Sequence, residues 1–302
     1  MRLLTFTTSG LDPHRAASWR LGVLVPDADA VVDVAAAFAP PGDTGRGQAP
    51  PEYLDWFDID GPWHARARRL HELVLQEPGR LTALRESGVA WRLPDVEVLA
   101  PVPRPGKVVC VGLNYRDHAR EAKMEVPTSP VIFAKFATSV IGSGAPIVLP
   151  AGDTRIDFEA ELGVVIGRRA KGLSKADALS CVCGYLNAND VSARSFQKID
   201  GQWVRAKSCD TFAPMGPALV TADEVPDPGT LEIRLRLNGE EMQHSNTDEF
   251  VFSIPALLAF LSATMTLEPG DVVLTGTPPG VGFARKPPVY LKAGDLVEVE
   301  IA

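Results

Sequence analysis

Residues 154–167 read TRIDFEAELGVVIG, apolar and acidic side chains alternating before an unbroken apolar run. A period of two predicts a strand, with Ile156, Phe158, Ala160 and Leu162 on one face and Asp157, Glu159 and Glu161 on the other. Same-face neighbours in a strand lie about 6.6 Å apart. At an effective dielectric of about 20, adjacent carboxylates at that spacing repel by roughly 2 kcal/mol. The strand then continues into Gly163, Val164, Val165 and Ile166, which read as buried. Such a face is tolerated if one acid is protonated, if Arg or Lys pairs with it, or if a cation sits between the acids. Arg168 and Arg169 are too far along the strand to serve Glu159.

Around this stretch, residues 104–302 read as mostly strand. KVVCVGLNY, SPVIFAKF, APIVLP, CVCGYLNANDV, GPALVT, LEIRLRLNGE, DVVLTGTP and DLVEVEIA are separated by Gly, Pro and Asp turns. In LEIRLRLNGE, Leu231, Ile233, Leu235 and Leu237 share a face and Asn238-Gly239 predicts a hairpin turn. Helices are expected near 115–124, 174–180 and 253–263. Before residue 103, short strands (RLLTFT, RLGVLV, AVVDVA) mix with a helix in HARARRLHELVLQ that Pro78-Gly79 closes. Prolines 94, 101, 103 and 105 favour extended chain and predict a linker, so the expected units are 1–103 and 104–302.

The chain has 302 residues, 45% of them hydrophobic, and a net charge of −8 from 30 basic and 38 acidic residues. Without clustered Lys and Arg, nucleic acid is not an expected partner. The basic stretch HARARRL has the spacing of a solvated helix face. No signal-peptide apolar region or membrane span is visible, so a membrane is not expected either, and the expected location is cytoplasmic. Four cysteines (110, 181, 183, 209) sit among apolar residues without a CxxC, which predicts reduced thiols and no zinc site, with Cys181 and Cys183 on one face of a buried strand.

Three further stretches carry chemistry. In NANDVSARSFQ (187–197), Asp190 ends a strand-like run; with Glu159 and Glu161 it would make an all-oxygen site suited to Mg²⁺, Mn²⁺ or Ca²⁺. The alternative is a solvated acidic face with Asp190 unrelated. In GLNYRDHAREAKM (112–124), His118 and Glu121 share a helical face. A carboxylate there orients an imidazole as a general base, although most such pairs are surface contacts and Asp117 competes. Lys207, in WVRAKSCDTFAPMGP (203–217), reads either as a solvated loop lysine or as a cation facing an anionic substrate. LTGTPPGVG (274–282) lacks the GK[ST] ending of a phosphate loop. Its Gly276-Thr277 could instead present an N–H and a hydroxyl to a carboxylate.

In order and spacing, GLNYRDHAREA, DFEAELGVVIG, NANDVSAR, QWVRAKSCDTFAPMGP and LEPGDVVLTGTPPGVG resemble the fumarylacetoacetate hydrolase family over roughly 104–302. The resemblance implies a β-rich, mixed α+β fold: a catalytic β-roll preceded by a small α+β N-terminal domain, usually in a homodimer. It implies that Glu159, Glu161 and Asp190 bind a divalent ion, usually Mg²⁺, and that His118 and Glu121 form the water-activating dyad. Lys207 would stabilise developing charge, and Arg194, Gln197 and Thr277 would contact the substrate's keto and carboxylate groups. The family's namesake uses a further aspartate ligand from an earlier segment. None stands near GLNY, so the chain resembles the smaller-substrate acylpyruvase, oxaloacetate decarboxylase and 2-hydroxyhepta-2,4-diene-1,7-dioate isomerase members.

The activity this implies is metal-dependent hydrolysis of a carbon–carbon bond in a short 2,4-dioxo acid, through a pyruvate enolate stabilised by the ion and Lys207. Decarboxylation of oxaloacetate or isomerisation of a 2-hydroxydienoate would use the same groups. A non-enzymatic scaffold is the reading of a different class.

Overall fold

The computed structural model describes residues 1–39 and 52–302. Among them a 13-stranded sheet dominates. Its main path runs Ala90–Arg92, Ala30–Asp33, Arg20–Val25, Arg2–Thr8, Leu219–Thr221, Val182–Asn189, Ala160–Ile166, Val272–Leu274, Val108–Gly112, Val131–Lys135. Pairing along this path is antiparallel except between Val272–Leu274 and Val108–Gly112. The first strand, Arg2–Thr8, pairs with Leu219–Thr221, so hydrogen bonding continues across the Pro-rich segment at 94–105. A second sheet of three strands is built on the hairpin Glu232–Leu237 and Glu240–Asn246, with Val297–Ile301 on its other side. Asn238 and Gly239 both have positive φ (54° and 82°), as a two-residue hairpin turn of right-handed twist requires. The mixed, β-rich architecture is the one expected.

The strand Ala160–Ile166 is buried along its whole length between two neighbours, which explains its unbroken apolar end. Ile156, Phe158 and Leu162 sit at 1% exposure or less in a core shared with the hairpin leucines and the helix Ile254–Thr264. Each such side chain contributes about 1.5–3 kcal/mol by leaving water. That is enough to hold the acidic face in place despite its repulsion.

Two expectations are corrected. The stretch at 174–180 forms only a short 3-10 turn, Ala178–Cys181. Ser174 and Asp177 hydrogen-bond each other there in a local turn, and so few residues do not repay helix nucleation. APIVLP joins no ladder: Pro146 and Pro150 have no N–H to give one, and the Val148 N–H donates instead to Thr211 Oγ1 at 2.8 Å; the strand in this region is Val140–Gly142. The helices at 115–124 and 253–263 are present as Arg116–Ala122 and Ile254–Thr264.

Candidate active site

Register brings the acids together. Ala160 lies opposite Asn189 in the antiparallel pair, so the next residue, Asp190, falls beside Glu159. The ladder breaks at 158–159: the Asn189 side chain accepts the Glu159 N–H (2.9 Å) and the Asp190 N–H donates to the Glu159 carbonyl (2.8 Å). Glu159, Glu161 and Asp190 each offer a carboxylate oxygen within 4.8 Å of the others, and all three are buried. Asp157 is fully buried as well, so none of this face is solvated.

Cationic side chains reach the cluster from three elements. Lys207, at the end of the short helix Val204–Lys207 and only 2% exposed, donates to Glu159 Oε2 (2.7 Å) and Asp190 Oδ2 (2.6 Å). It is no solvated loop lysine. Arg194 opens the helix Arg194–Asp200, whose first turn is held by Asp153 accepting the Ser195 and Phe196 N–H groups. Its guanidinium donates to Asp157 (2.8 Å), to Glu159 Oε1 (2.5 Å) and to Gln197 Oε1 (3.0 Å). Lys135, which sequence reasoning passed over, is buried and donates to Asp190 Oδ1 at 2.6 Å. Its signal was a lone charge in the otherwise apolar strand VIFAK, a position where a lysine is rarely buried unpaired.

Burial alone would raise the Glu159 carboxyl, but the Lys207 and Arg194 charges bring it down to about 2. Glu161 goes the other way. Burial, then the neighbouring Asp190 and Glu159, push it well above the usual carboxylate range when only protein groups surround it. One Glu161 oxygen accepts from the Gly276 N–H (2.7 Å); the other takes no hydrogen bond from the described residues. Three clustered hard-oxygen donors, one with an oxygen free of described partners and a carboxylate whose ionised form lacks a sufficient counter-charge, fit a divalent cation.

The helix Arg116–Ala122 carries the second set of groups. His118 Nδ1 lies 3.1 Å from Glu121 Oε2, and Asp117 is occupied elsewhere, by the His118 N–H and Ser245 Oγ. Glu121 also accepts from the Gly280 N–H at 3.0 and 3.2 Å. The loop after Val272–Leu274 thus serves several acids: Gly276 N–H for Glu161, Gly280 N–H for Glu121, and the Gly282 and Phe283 N–H groups for Asp157. Gly276 and Gly280 have φ near +100°, and an added Cβ would lie 2.8 Å from Asn114 Cβ and 2.0 Å from the Met242 carbonyl respectively. Only glycine lets the backbone come that close.

These groups enclose a cavity of about 160 Å³ lined by His118, Glu159, Glu161, Arg194, Gln197, Lys207 and Thr277, with Phe133, Trp203 and Phe283 among its apolar walls. It is small beside the roughly 300–1,000 Å³ of a drug-sized site. An imidazole, carboxylates and cationic donors share its lining, a set of groups that can move a proton on a small anion. No described helix is long and apolar enough to cross a membrane.

The family model described as "Fumarylacetoacetate (FAA) hydrolase C-terminal" matches residues 107–302. The Bos taurus protein named oxaloacetate tautomerase FAHD2A, mitochondrial, is 49% identical over 237 residues, covering 76% of this chain and 75% of that one. Its Homo sapiens counterpart is 52% identical over 209 residues, covering 68% and 67%. Among solved structures, 2-hydroxyhepta-2,4-diene-1,7-dioate isomerase from Mycobacterium marinum is similar at TM-score 0.70 and 34% identity, over 100% of this chain and 94% of that one. Maleylpyruvate hydrolase from Sphingobium sp. SYK-6, solved with manganese(II) and pyruvate, is similar at TM-score 0.72 and 30% identity, over 100% and 95%.

Proposed function

The chain belongs to the fumarylacetoacetate hydrolase family, and from that premise we propose that it interconverts the keto and enol forms of a short 2-oxo diacid such as oxaloacetate. The observation that carries this reading is the His118–Glu121 pair, whose imidazole lines a cavity together with Glu159, Glu161, Arg194 and Lys207. Relatives named for this reaction are about half identical to the chain.

Glu121 accepts from Nδ1–H, which leaves Nε2 of His118 as the base. His118 Nε2 takes a proton from the carbon next to the keto group, and the resulting imidazolium returns it to the enolate oxygen, so one C–H bond breaks, one O–H bond forms and the base is regenerated. Arg194 and Gln197 hold the acid's oxygens, and Lys207 offsets the negative charge that grows on the keto oxygen. Glu159, Glu161 and Asp190 would hold a divalent ion, Mg²⁺ or Mn²⁺, which when bound supplies Lewis-acid polarisation of the keto group. Phe133, Trp203 and Phe283 limit water around the reacting carbon.

A second reading, hydrolysis of an acylpyruvate, is favoured by the same dyad. His118 would then take its proton from water, and the hydroxide would attack the distal carbonyl and break the carbon–carbon bond.

The test is enol absorbance of oxaloacetate against pyruvate release from oxaloacetate and acetylpyruvate, each with Mg²⁺, with Mn²⁺ and with EDTA. Fast enol decay without pyruvate supports the tautomerase. Pyruvate from acetylpyruvate supports the hydrolase, and pyruvate from oxaloacetate a decarboxylase. No turnover with either ion or with EDTA would sink all three and leave a scaffold, and turnover undiminished by EDTA would remove the ion from the reading. A homodimer is part of the proposal, and sedimentation of the full chain checks it.

A further inference from the structure

We propose that Gln243, which does not line the cavity, is a positioning residue that fixes the Thr277 hydroxyl as a hydrogen-bond donor toward an acceptor oxygen of the substrate. The inference rests on reading the cavity as a 2-oxo acid site.

Gln243 lies on the hairpin strand Glu240–Asn246 and is 1% exposed. Its Oε1 accepts the Ala160 N–H at 2.8 Å. A backbone N–H only donates, so this contact settles which way round the amide stands. Nε2 must then carry the two protons, and it donates one to the Pro278 carbonyl and one to Thr277 Oγ1, both at 2.8 Å. The carbonyl can only accept, which confirms the orientation.

Thr277 Oγ1 therefore acts as an acceptor toward Gln243 and keeps its single proton. No described residue accepts that proton, and Thr277 lines the cavity. A ligand oxygen seated in the cavity is placed to take it. Gln197 follows the same logic. Its Oε1 accepts from Arg194, so only its Nε2 protons are left to offer. Thr277 and Gln197 thus both keep protons to donate into the cavity, which suits carboxylate and keto oxygens in those places. Ala160 stands between Glu159 and Glu161, so the amide that orients Thr277 also ties its loop to the carboxylate strand.

The experiment is calorimetric binding of oxalate to the full chain with Mg²⁺, beside steady-state turnover of oxaloacetate. Thr277→Val should weaken oxalate roughly ten- to a hundredfold, the range for one hydrogen bond to a charged acceptor. Gln243→Met should weaken it comparably and raise KM more than it lowers kcat. In the Gln243→Met background, Thr277→Val should add less than about twofold, because the two act as one unit. Gln243→Glu, which keeps the acceptor for Ala160 and loses the donor, should behave like Gln243→Met and serves if the latter does not fold.

Thr277→Val binding oxalate as tightly as wild type would overturn the proposal whatever the Gln243 variants do. Losses that simply multiply in the double variant would also overturn it, reducing Gln243 to a packing residue. Failure of the wild type to bind either oxalate or oxaloacetate has a different signature: it removes the oxo-acid reading itself and this inference with it.

Discussion

The carboxylate cluster, through Glu159 and Glu161, and the His118–Glu121 pair, through His118, line the same cavity but are held in different ways. Glu159, Glu161 and Asp190 sit on or next to central strands, at 7% exposure or less, with buried lysines against them. The pair rides on a seven-residue helix that ends at Lys123 in the left-handed region, and its Glu121 side chain is 28% exposed. Asn114 anchors the base of that helix to the Thr275 and Phe252 carbonyls, while Gly280 N–H holds Glu121 from above. One half is therefore part of the core, where a lost group costs stability. The other is a small unit docked on it, where a lost group costs chemistry.

Removing one member from each half should break that contrast or sharpen it. Asp190→Ala leaves Lys135 and Lys207 short of a counter-charge in the core, and should destabilise the fold by about 3–5 kcal/mol as well as abolish turnover. His118→Ala should cut turnover by roughly 10²–10⁴ with less than about 1 kcal/mol lost in urea unfolding. Comparable stability losses in the two would mean the helix is as integral as the strands.

Glu161→Gln tests the cluster from the other side. It deletes a like charge beside Asp190 and Glu159 and preserves an acceptor for the Gly276 N–H. In EDTA the variant should be at least as stable as wild type. In Mg²⁺ at a hundred times its dissociation constant, wild type should gain about 2.7 kcal/mol and the variant far less. Equal gains would place the ion elsewhere.

The acid limit carries a smaller effect with a defined sign. Glu159 is held at about 2 in the fold, below its ordinary value of 4.5, because Lys207 and Arg194 outweigh its burial. The unfolded chain therefore binds the proton first as pH falls. The contribution is complete above about 4.5 and drains away as pH drops toward 2. Lys207→Met should flatten the loss of stability across that window in EDTA; an unchanged slope would say that Arg194 alone holds Glu159 down.

What the sequence discloses of this site depends on how far apart the partners lie. The Glu159–Glu161 pair and the His118–Glu121 pair are local, and strand and helix periods place each on one face. Asp190 follows from register once Val182–Asn189 is paired with Ala160–Ile166. Lys135 and Gln243 are different. Their contacts with Asp190 and Ala160 span 55 and 83 residues and depend on which strands become neighbours, which no local spacing encodes. The fold shows the same divide. Alternation revealed LEIRLRLNGE and its turn, whereas APIVLP read as a strand on composition although two of its six residues lack an N–H and Val148 bonds a distant threonine.

The smallest expected effect concerns motion of the docked helix. Its described attachments to the rest of the fold are few: Asn114 at the base, the Tyr115–Phe250 contact, Ser245 Oγ on Asp117, peripheral ties from Arg116 and Arg120, and the N–H of Gly280 on Glu121. Tyr115, His118 and Ala119 are buried, but the helix is short and its outer face is exposed. Such peripheral segments open at a free energy below that of global unfolding. A ligand that gathers His118, Arg194 and the carboxylate cluster around itself should raise the cost of that opening, as lids closing over substrates do. Hydrogen exchange at 115–128 should slow several-fold on adding Mg²⁺ with oxalate, while the strand Ala160–Ile166 stays protected throughout. Protection at 115–128 that does not change with ligand would make the helix a fixed wall, and the two halves of the site would then differ in composition but not in mobility.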